Sequence, residues 1–363
     1  MIVTTFFPLP TISAYLCREF LRFFFLCLLL FLILALVIDF FDRLDDFIKY
    51  AAPASAVLRY LLFKTPFFIT QAAPAAALVA SFLSLALFSK HREILALKAC
   101  GISSWQIARS LLVAAGVLSA AVWAWGEVLV PYTFHQSRYI NTVEIKKKPF
   151  RGLFNDRGFW YHGKNAFYHI DHFDSHRNIL FGLTVYTLDE NFRVLSLTEI
   201  AQARWQDGQW HFDNVKTNAI TSEYENLPPL IHPRLEETPE DFALVDMEAE
   251  EFSTRQFREY IADLQRKGLD TTKYQVDLHL KRAVPIATLV MSLLGIAFAS
   301  SKAGQLAVST ALGLALVAGF GYWILLALTV SLGHSGILSP FPAAWLANGV
   351  ALLLGIFFLL GSD

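Results

Sequence analysis

The chain has 363 residues, 55% of them hydrophobic and 17% charged, where an ordinary soluble domain carries roughly 25% charged residues. Its formal net charge is −1 and no basic stripe runs along it, which excludes a nucleic-acid-binding protein. The apolar residues, with 32 phenylalanines among them, gather in long runs toward both ends around a middle third of ordinary polarity, so the composition points to a membrane protein with an inserted soluble domain.

A membrane span needs about 20 apolar residues. The first candidate, 21–38, has Arg18 and Arg22 ahead of its apolar run Phe23–Ile38, the charge order of a secretory signal. The run is about twice the length of a signal core, however, and Asp39-Phe40-Phe41-Asp42 stands where a small-residue cleavage site belongs. It is therefore read as an uncleaved first span. A second span covers 67–88 and a third 103–130. Between them, Lys90 to Cys100 reads as a short amphipathic helix, stopped by Gly101, with Ser103 or Ser104 capping the third span. Such a helix is either a handle for a partner or an ordinary interfacial helix with solvated charges.

The inserted domain is expected over 132–278, between the membrane segments 1–131 and 279–363. Its middle consists of short aromatic and β-branched runs, among them Gly158-Phe159-Trp160-Tyr161, Ala166-Phe167-Tyr168-His169-Ile170 and Leu183-Thr184-Val185-Tyr186. Turn pairs such as Asp207-Gly208 separate them, which predicts an antiparallel all-β, jelly-roll-like domain. A polar helix follows at about 254–267, capped by Ser253 or Thr254 and ended by Gly268. Spans four, five and six are expected at 283–300, 305–331 and 341–361.

Short-loop Lys and Arg place the N-terminal flank and the 2–3 loop inside and the inserted domain outside. Arg43, Lys49, Arg59 and Lys64 in the 1–2 segment run against this bias. Trp123, Trp125 and Trp345 fall near outer span ends, as members of an aromatic belt or as ordinary core residues.

Cys17, Cys27 and Cys100 all lie outside the inserted domain, so no disulfide framework is expected there. His162, His169, Asp171, His172, Asp174 and His176 resemble a zinc cluster at first reading. Asp174 to Asn178 reads better as a solvated turn, and no metal site is expected. No phosphate-binding GxxxxGK[ST] loop, GxSxG elbow or HExxH helix occurs, which argues against ATP hydrolysis or nucleophilic catalysis by this chain. Cations at the outer span ends, Arg138 and Lys281 first and Arg43 and Arg282 after them, suit phosphates of an anionic amphiphile or anchor the helix ends to lipid.

Several motifs then fall into a known order. They are Phe41-Asp42-Arg43-Leu44 after span one, and Arg92-Glu93-Ile94 with Lys98-Ala99-Cys100-Gly101 before span three. Gly126-Glu127, Pro131 and Arg138 end span three; Gly158-Phe159-Trp160 and Asn165-Ala166-Phe167-Tyr168 open the β domain; Tyr274-Gln275, Lys281 and Pro285 open span four. The chain resembles the LptF/LptG permeases of lipopolysaccharide export over essentially its whole length, and the Gly-x-Trp opening and the Tyr274-Gln275 run look more like LptG than LptF. One departure stands out: LptG relatives can carry a lysine at the end of span one, where this chain has Asp39.

The resemblance implies a transport subunit with no catalytic residues and no cofactor of its own. Its partners would be a homologous LptF-like permease, a cytoplasmic LptB-like ATPase that binds the ATP, LptC/LptA-like periplasmic bridge components, lipopolysaccharide and inner-membrane lipid. Arg92, Glu93, Leu97 and Lys98 would meet the ATPase. Arg138, Lys281, Arg43 and Arg282 would meet head-group phosphates, and Phe159, Tyr161, Phe167 and Tyr186 would line a conduit for acyl chains. The competing class is a membrane enzyme that modifies envelope polymers with the outer domain, for which the His/Asp set would have to be catalytic.

Overall fold

The structure is a computed structural model that describes residues 10–147, 152–155, 158–162, 166–174, 178–188, 194–206, 209–219, 248–266, 270–300 and 308–360. The chain divides into two compact units, Met1–Ile140 with Ala249–Asp363, and Asn141–Glu248.

Six helices of the first unit are long and apolar enough to cross a membrane: α1 (Pro10–Asp42), α3 (Ala54–Lys90), α5 (Ser104–Tyr139), α7 (Thr272–Ser300), α8 (Val308–His334) and α9 (Pro340–Leu360). The shorter α2 (Leu44–Lys49), α4 (Glu93–Ala99) and α6 (Thr254–Arg266) lie between them. All six expected spans are present, and several outrun their apolar cores. The 37 residues of α3 extend about 55 Å at 1.5 Å per residue, against a hydrocarbon core of about 30 Å. Hydropathy marks only the part of a helix that meets hydrocarbon, so the extensions were invisible to it.

The centre of the bundle is α3, with 78% of its most apolar window buried, against 17% for α1 and 28% for α8. Ala73, Ala76, Ala77, Ala80, Ser81 and Ser84 make one side of α3 narrow and fully buried. Gly295 of α7 sits against that side, a small-on-small contact of the kind that drives helix association where lipid is the solvent. The serine hydroxyls bond back to their own helix, Ser81 to the Leu78 carbonyl at 3.0 Å and Ser84 to that of Ala80 at 2.7 Å. Polar cross-links complete the packing. Tyr322 Oη donates to Asn348 Oδ1 at 3.0 Å, Asn348 Nδ2 donates to the Ala283 carbonyl at 2.9 Å, and Ser119 Oγ donates to the Pro285 carbonyl at 2.8 Å. Trp123 and Trp125 are exposed as a belt residue would be, whereas Trp345 stacks on Phe341 and its Nε1 is buried without a hydrogen bond.

The second unit is narrower than the 132–278 read from sequence. Residues up to Tyr139 continue α5, which passes into a π-helical turn, Ile140–Ile145. On the return, Ala249–Glu251 forms a 3-10 turn and α6 packs Phe257, Ile261 and Leu264 against Tyr274 at the start of α7.

In the second unit β1 (Gly152–Asn155), β2 (Gly158–His162), β3 (Ala166–Asp174), β4 (Ile179–Leu188), β5 (Val194–Gln206) and β6 (Gln209–Ala219) form one antiparallel sheet in sequential order. The inserted all-β domain is present, and its described strands make one antiparallel meander. One face carries the core of Tyr168, Ile170, Phe173, Leu180, Leu183, Val185, Ile200 and Ala203. Buried positions switch parity within each strand: 170 to 173 in β3, 180 to 183 in β4, 200 to 203 in β5. The pairing skips Asp171, Gly182, Ala201 and Asn214 at the same rank. Gly182 and Asn214 there hold left-handed φ values of 62° and 56°. A shared line of irregularity thus crosses the sheet without changing its register, and the apolar side chains stay on one face beyond it.

Candidate functional site

The C-terminal end of α5 and the N-terminal end of α7 hold the returning segment Ala249–Thr254 like a strap. Glu127, on α5, accepts from the Thr254 backbone N–H at 2.8 Å and from its Oγ1 at 2.6 Å. Ser253 and Gln256 form a reciprocal capping pair at the same helix start. Glu251, almost fully buried, pairs with Arg138 and lies 3.2 Å from His135 Nδ1. From α7, Lys281 Nζ donates to the carbonyls of Ala249 at 3.1 Å and Phe252 at 2.8 Å. Arg138 and Lys281, the first candidates for head-group phosphates, are therefore brought together on the strap. Of the other two, Arg43 lies in the Asp39 network described below. Arg282 is half-buried, and no hydrogen bond or ion pair of its side chain is formed among the described residues.

Beneath the strap lies a cavity of about 260 Å³ between α3, α5, α7 and α8. Phe67, Trp123, Trp323, Leu326 and Val330 make its apolar wall, and Gln71, Glu127, Glu250, Asp277 and Lys281 make its polar rim. Asp277 is held by His334 Nε2 at 2.8 Å. The cavity is apolar within and charged at its mouth.

A second ionic centre joins α1 to α3. Lys64 Nζ lies 2.6 Å from Asp39 Oδ1 and 2.7 Å from Tyr60 Oη; Tyr60 Oη donates to Asp39 Oδ2 at 3.0 Å; Arg43 Nε reaches Asp39 Oδ1 at 3.4 Å. The side chains of Lys64 and Asp39 are 10% and 12% exposed, so this is a buried pair. In sequence Lys64 reads as a charge of the 1–2 segment, and nothing local points to its partner. Its place in Leu61-Leu62-Phe63-Lys64, inside an apolar run, was the available signal.

At the opposite end of α3, α4 begins after Arg92, whose φ of 60° is left-handed. None of its residues is buried, and Leu95 is 65% exposed. Tyr15 Oη of α1 donates to Glu93 Oε2 at 3.1 Å. Thr11, Ile12, Tyr15, Glu93, Leu97 and Cys100 line an open groove between α1 and α4. The expected coupling residues Arg92, Glu93, Leu97 and Lys98 are thus gathered on one short exposed helix.

The four conduit candidates do not share one rank. Phe167 and Tyr186 are cross-strand partners, both half-buried, on the face opposite Tyr168 and Val185. The backbone of Phe159 pairs with Ile170 and that of Tyr161 with Tyr168; the side chains at 159 and 161 lie outside the described residues. Of the His/Asp set, His169 Nδ1 and Asp171 Oδ1 stand 4.0 Å apart. The side chains of His162, His172, Asp174 and His176 lie outside the described residues, and among those described no group of three or more His, Cys, Asp or Glu is placed to hold a metal.

A family model described as "Lipopolysaccharide export system permease LptF/LptG" matches residues 14–361. The lipopolysaccharide export system permease protein LptG of Escherichia coli K12 is 23% identical over 267 residues, 72% of this chain and 73% of that protein. The LptG of Escherichia coli O6:H1 gives the same figures.

Proposed function

The chain belongs to the LptF/LptG family and is a multi-pass inner-membrane protein, and we propose that it is an LptG-like permease subunit of an ABC exporter of lipopolysaccharide. A separate LptB-like ATPase supplies ATP hydrolysis. An LptF-like permease completes the membrane pair, and LptC/LptA-like components receive the lipid beyond the Asn141–Glu248 unit on the periplasmic side.

The observation that carries this reading is α4. A seven-residue helix with no buried residue and an exposed Leu95 needs a partner to cover it, and the chain has no nucleotide-binding motif of its own. The sparse burial of α1 and α8 supports pairing with a second permease along those two helices. Replacing Glu93 with alanine is expected to reduce the ATPase retained on the purified permease at least about tenfold. The thermal midpoint should stay unchanged, because an exposed charge contributes at most about 1 kcal/mol to folding. Full ATPase content in that variant would overturn the docking assignment.

Head-group recognition is best tested away from the strap. Reversing Arg138 or Lys281 breaks internal contacts as well as any contact with lipid. Arg282→Glu removes a cation that is not bonded within the described residues. It is expected to weaken lipopolysaccharide stimulation of the assembled ATPase by about 10- to 150-fold in apparent affinity, the value of one charge-assisted contact. An unchanged stimulation curve would assign Arg282 to anchoring.

A further inference from the structure

We infer that Tyr15 is a positioning residue that ties the docking helix α4 to α1, so that movement of α4 is delivered to the first span. The inference rests on the reading of α4 as the ATPase handle and adds the element that carries its motion.

Tyr15 and Glu93 are 78 positions apart and belong to different helices, yet the phenol donates to the carboxylate at 3.1 Å. The ring, about half exposed, also packs with its centroid 5.6 Å from that of Phe88 near the end of α3. The bond uses Glu93 Oε2 and leaves Oε1 for a cation on a partner. One carboxylate can thus hold the partner on one side and α1 on the other. Apolar contact follows the same route, since Ile12 of α1 and Ile94 and Leu97 of α4 pack on the cluster that contains Leu16 and Phe20.

The build of α1 makes this end the useful one to grip. Its 33 residues contain no glycine and no proline after Pro10, so it is a stiff rod about 50 Å long. Leu16, Phe20, Phe24 and Cys27 are buried, whereas Leu29, Leu30, Ile33, Leu34, Val37 and Ile38 are exposed. The rod is seated through Leu16 to Cys27, exposes one face beyond Leu28 while Phe31 packs on the other, and is tied again at Asp39. A shift applied at Tyr15 therefore acts on the least packed span of the bundle.

The test uses the whole assembled transporter in proteoliposomes loaded with lipopolysaccharide. Tyr15→Phe keeps the ring against Phe88 and removes only the hydroxyl. The expected result is a normal thermal midpoint, normal ATPase content and continuing ATP hydrolysis, with lipopolysaccharide released per ATP reduced about tenfold. An unchanged ratio overturns the inference. So does a loss of thermal stability or of ATPase content with an unchanged ratio, which would make Tyr15 a structural residue only. Glu93→Ala, measured alongside, separates the two levels. Full ATPase content there sinks the docking site itself, whereas its loss there together with a normal ratio in Tyr15→Phe sinks only the positioning role.

Discussion

Gly295→Ala is expected to destabilise the helical unit by on the order of 3 kcal/mol, the upper end of overpacking costs. A Cβ at this position would lie 2.1 Å from Ser81 Oγ and 2.4 Å from the Leu78 carbonyl oxygen. The hydroxyl can rotate away, but the carbonyl belongs to the backbone of α3, and α3 is packed on α1, α5, α7 and α8. Relief therefore requires two helices to separate. Thermal unfolding of the purified protein in detergent measures the effect, with Gly313→Ala as the matched control because a Cβ there meets nothing within 4 Å. Equal midpoints for the two variants would show that the α3–α7 contact is not close.

Lys64→Met is expected to cost about 3–5 kcal/mol, because it leaves Asp39 buried and charged without its main partner. Arg43, at 3.4 Å and more exposed, compensates poorly. Combining it with Asp39→Asn removes the charge while keeping an oxygen for the Tyr60 hydroxyl. The double variant should recover to within about 1 kcal/mol of the parent, since a buried pair replaced by neutral groups is close to neutral. A single-variant loss that persists in the double variant would refute the ion-pair account. If stability returns but lipopolysaccharide release does not, the charged pair itself is needed for transport.

The membrane half of the fold was legible because hydrocarbon imposes one-dimensional rules. Twenty apolar residues must be helical there, and all six runs are. The start of α6 at Thr254 is readable because Ser253 with Gln256 punctuates it in sequence. The short helix α4 runs from 93 to 99, inside the amphipathic stretch 90–100 of the sequence. What escaped were partnerships across sequence. Asp39 with Lys64, Glu127 with Thr254, and Arg138 with Glu251 are 25, 127 and 113 positions apart, and no local pattern links them. For that reason Arg138 and Lys281 look like free cations at a rim in sequence, whereas each bonds to the strap. The same blindness inflated the apparent positive charge of the 1–2 segment, since Arg59 and Lys64 belong to α3 and Lys64 is neutralised by Asp39. In the sheet, simple alternation failed past Asp171, Gly182 and Ala201, because an irregularity repeated in neighbouring strands changes the parity of every residue beyond it.

The strap also constrains the order in which the protein can be made. Glu127 leaves the ribosome 127 residues before Thr254. At bacterial synthesis rates of about 5–20 residues per second, that is an interval of about 6–25 seconds. For that time the carboxylate, and Arg138 after it, sit at the end of an inserted helix with only water and lipid to satisfy them. The whole Asn141–Glu248 unit must emerge before the strap can arrive. A nascent chain stalled short of residue 254 should therefore leave Glu127 open to carboxyl-directed labelling, and one stalled well beyond residue 281 should protect it.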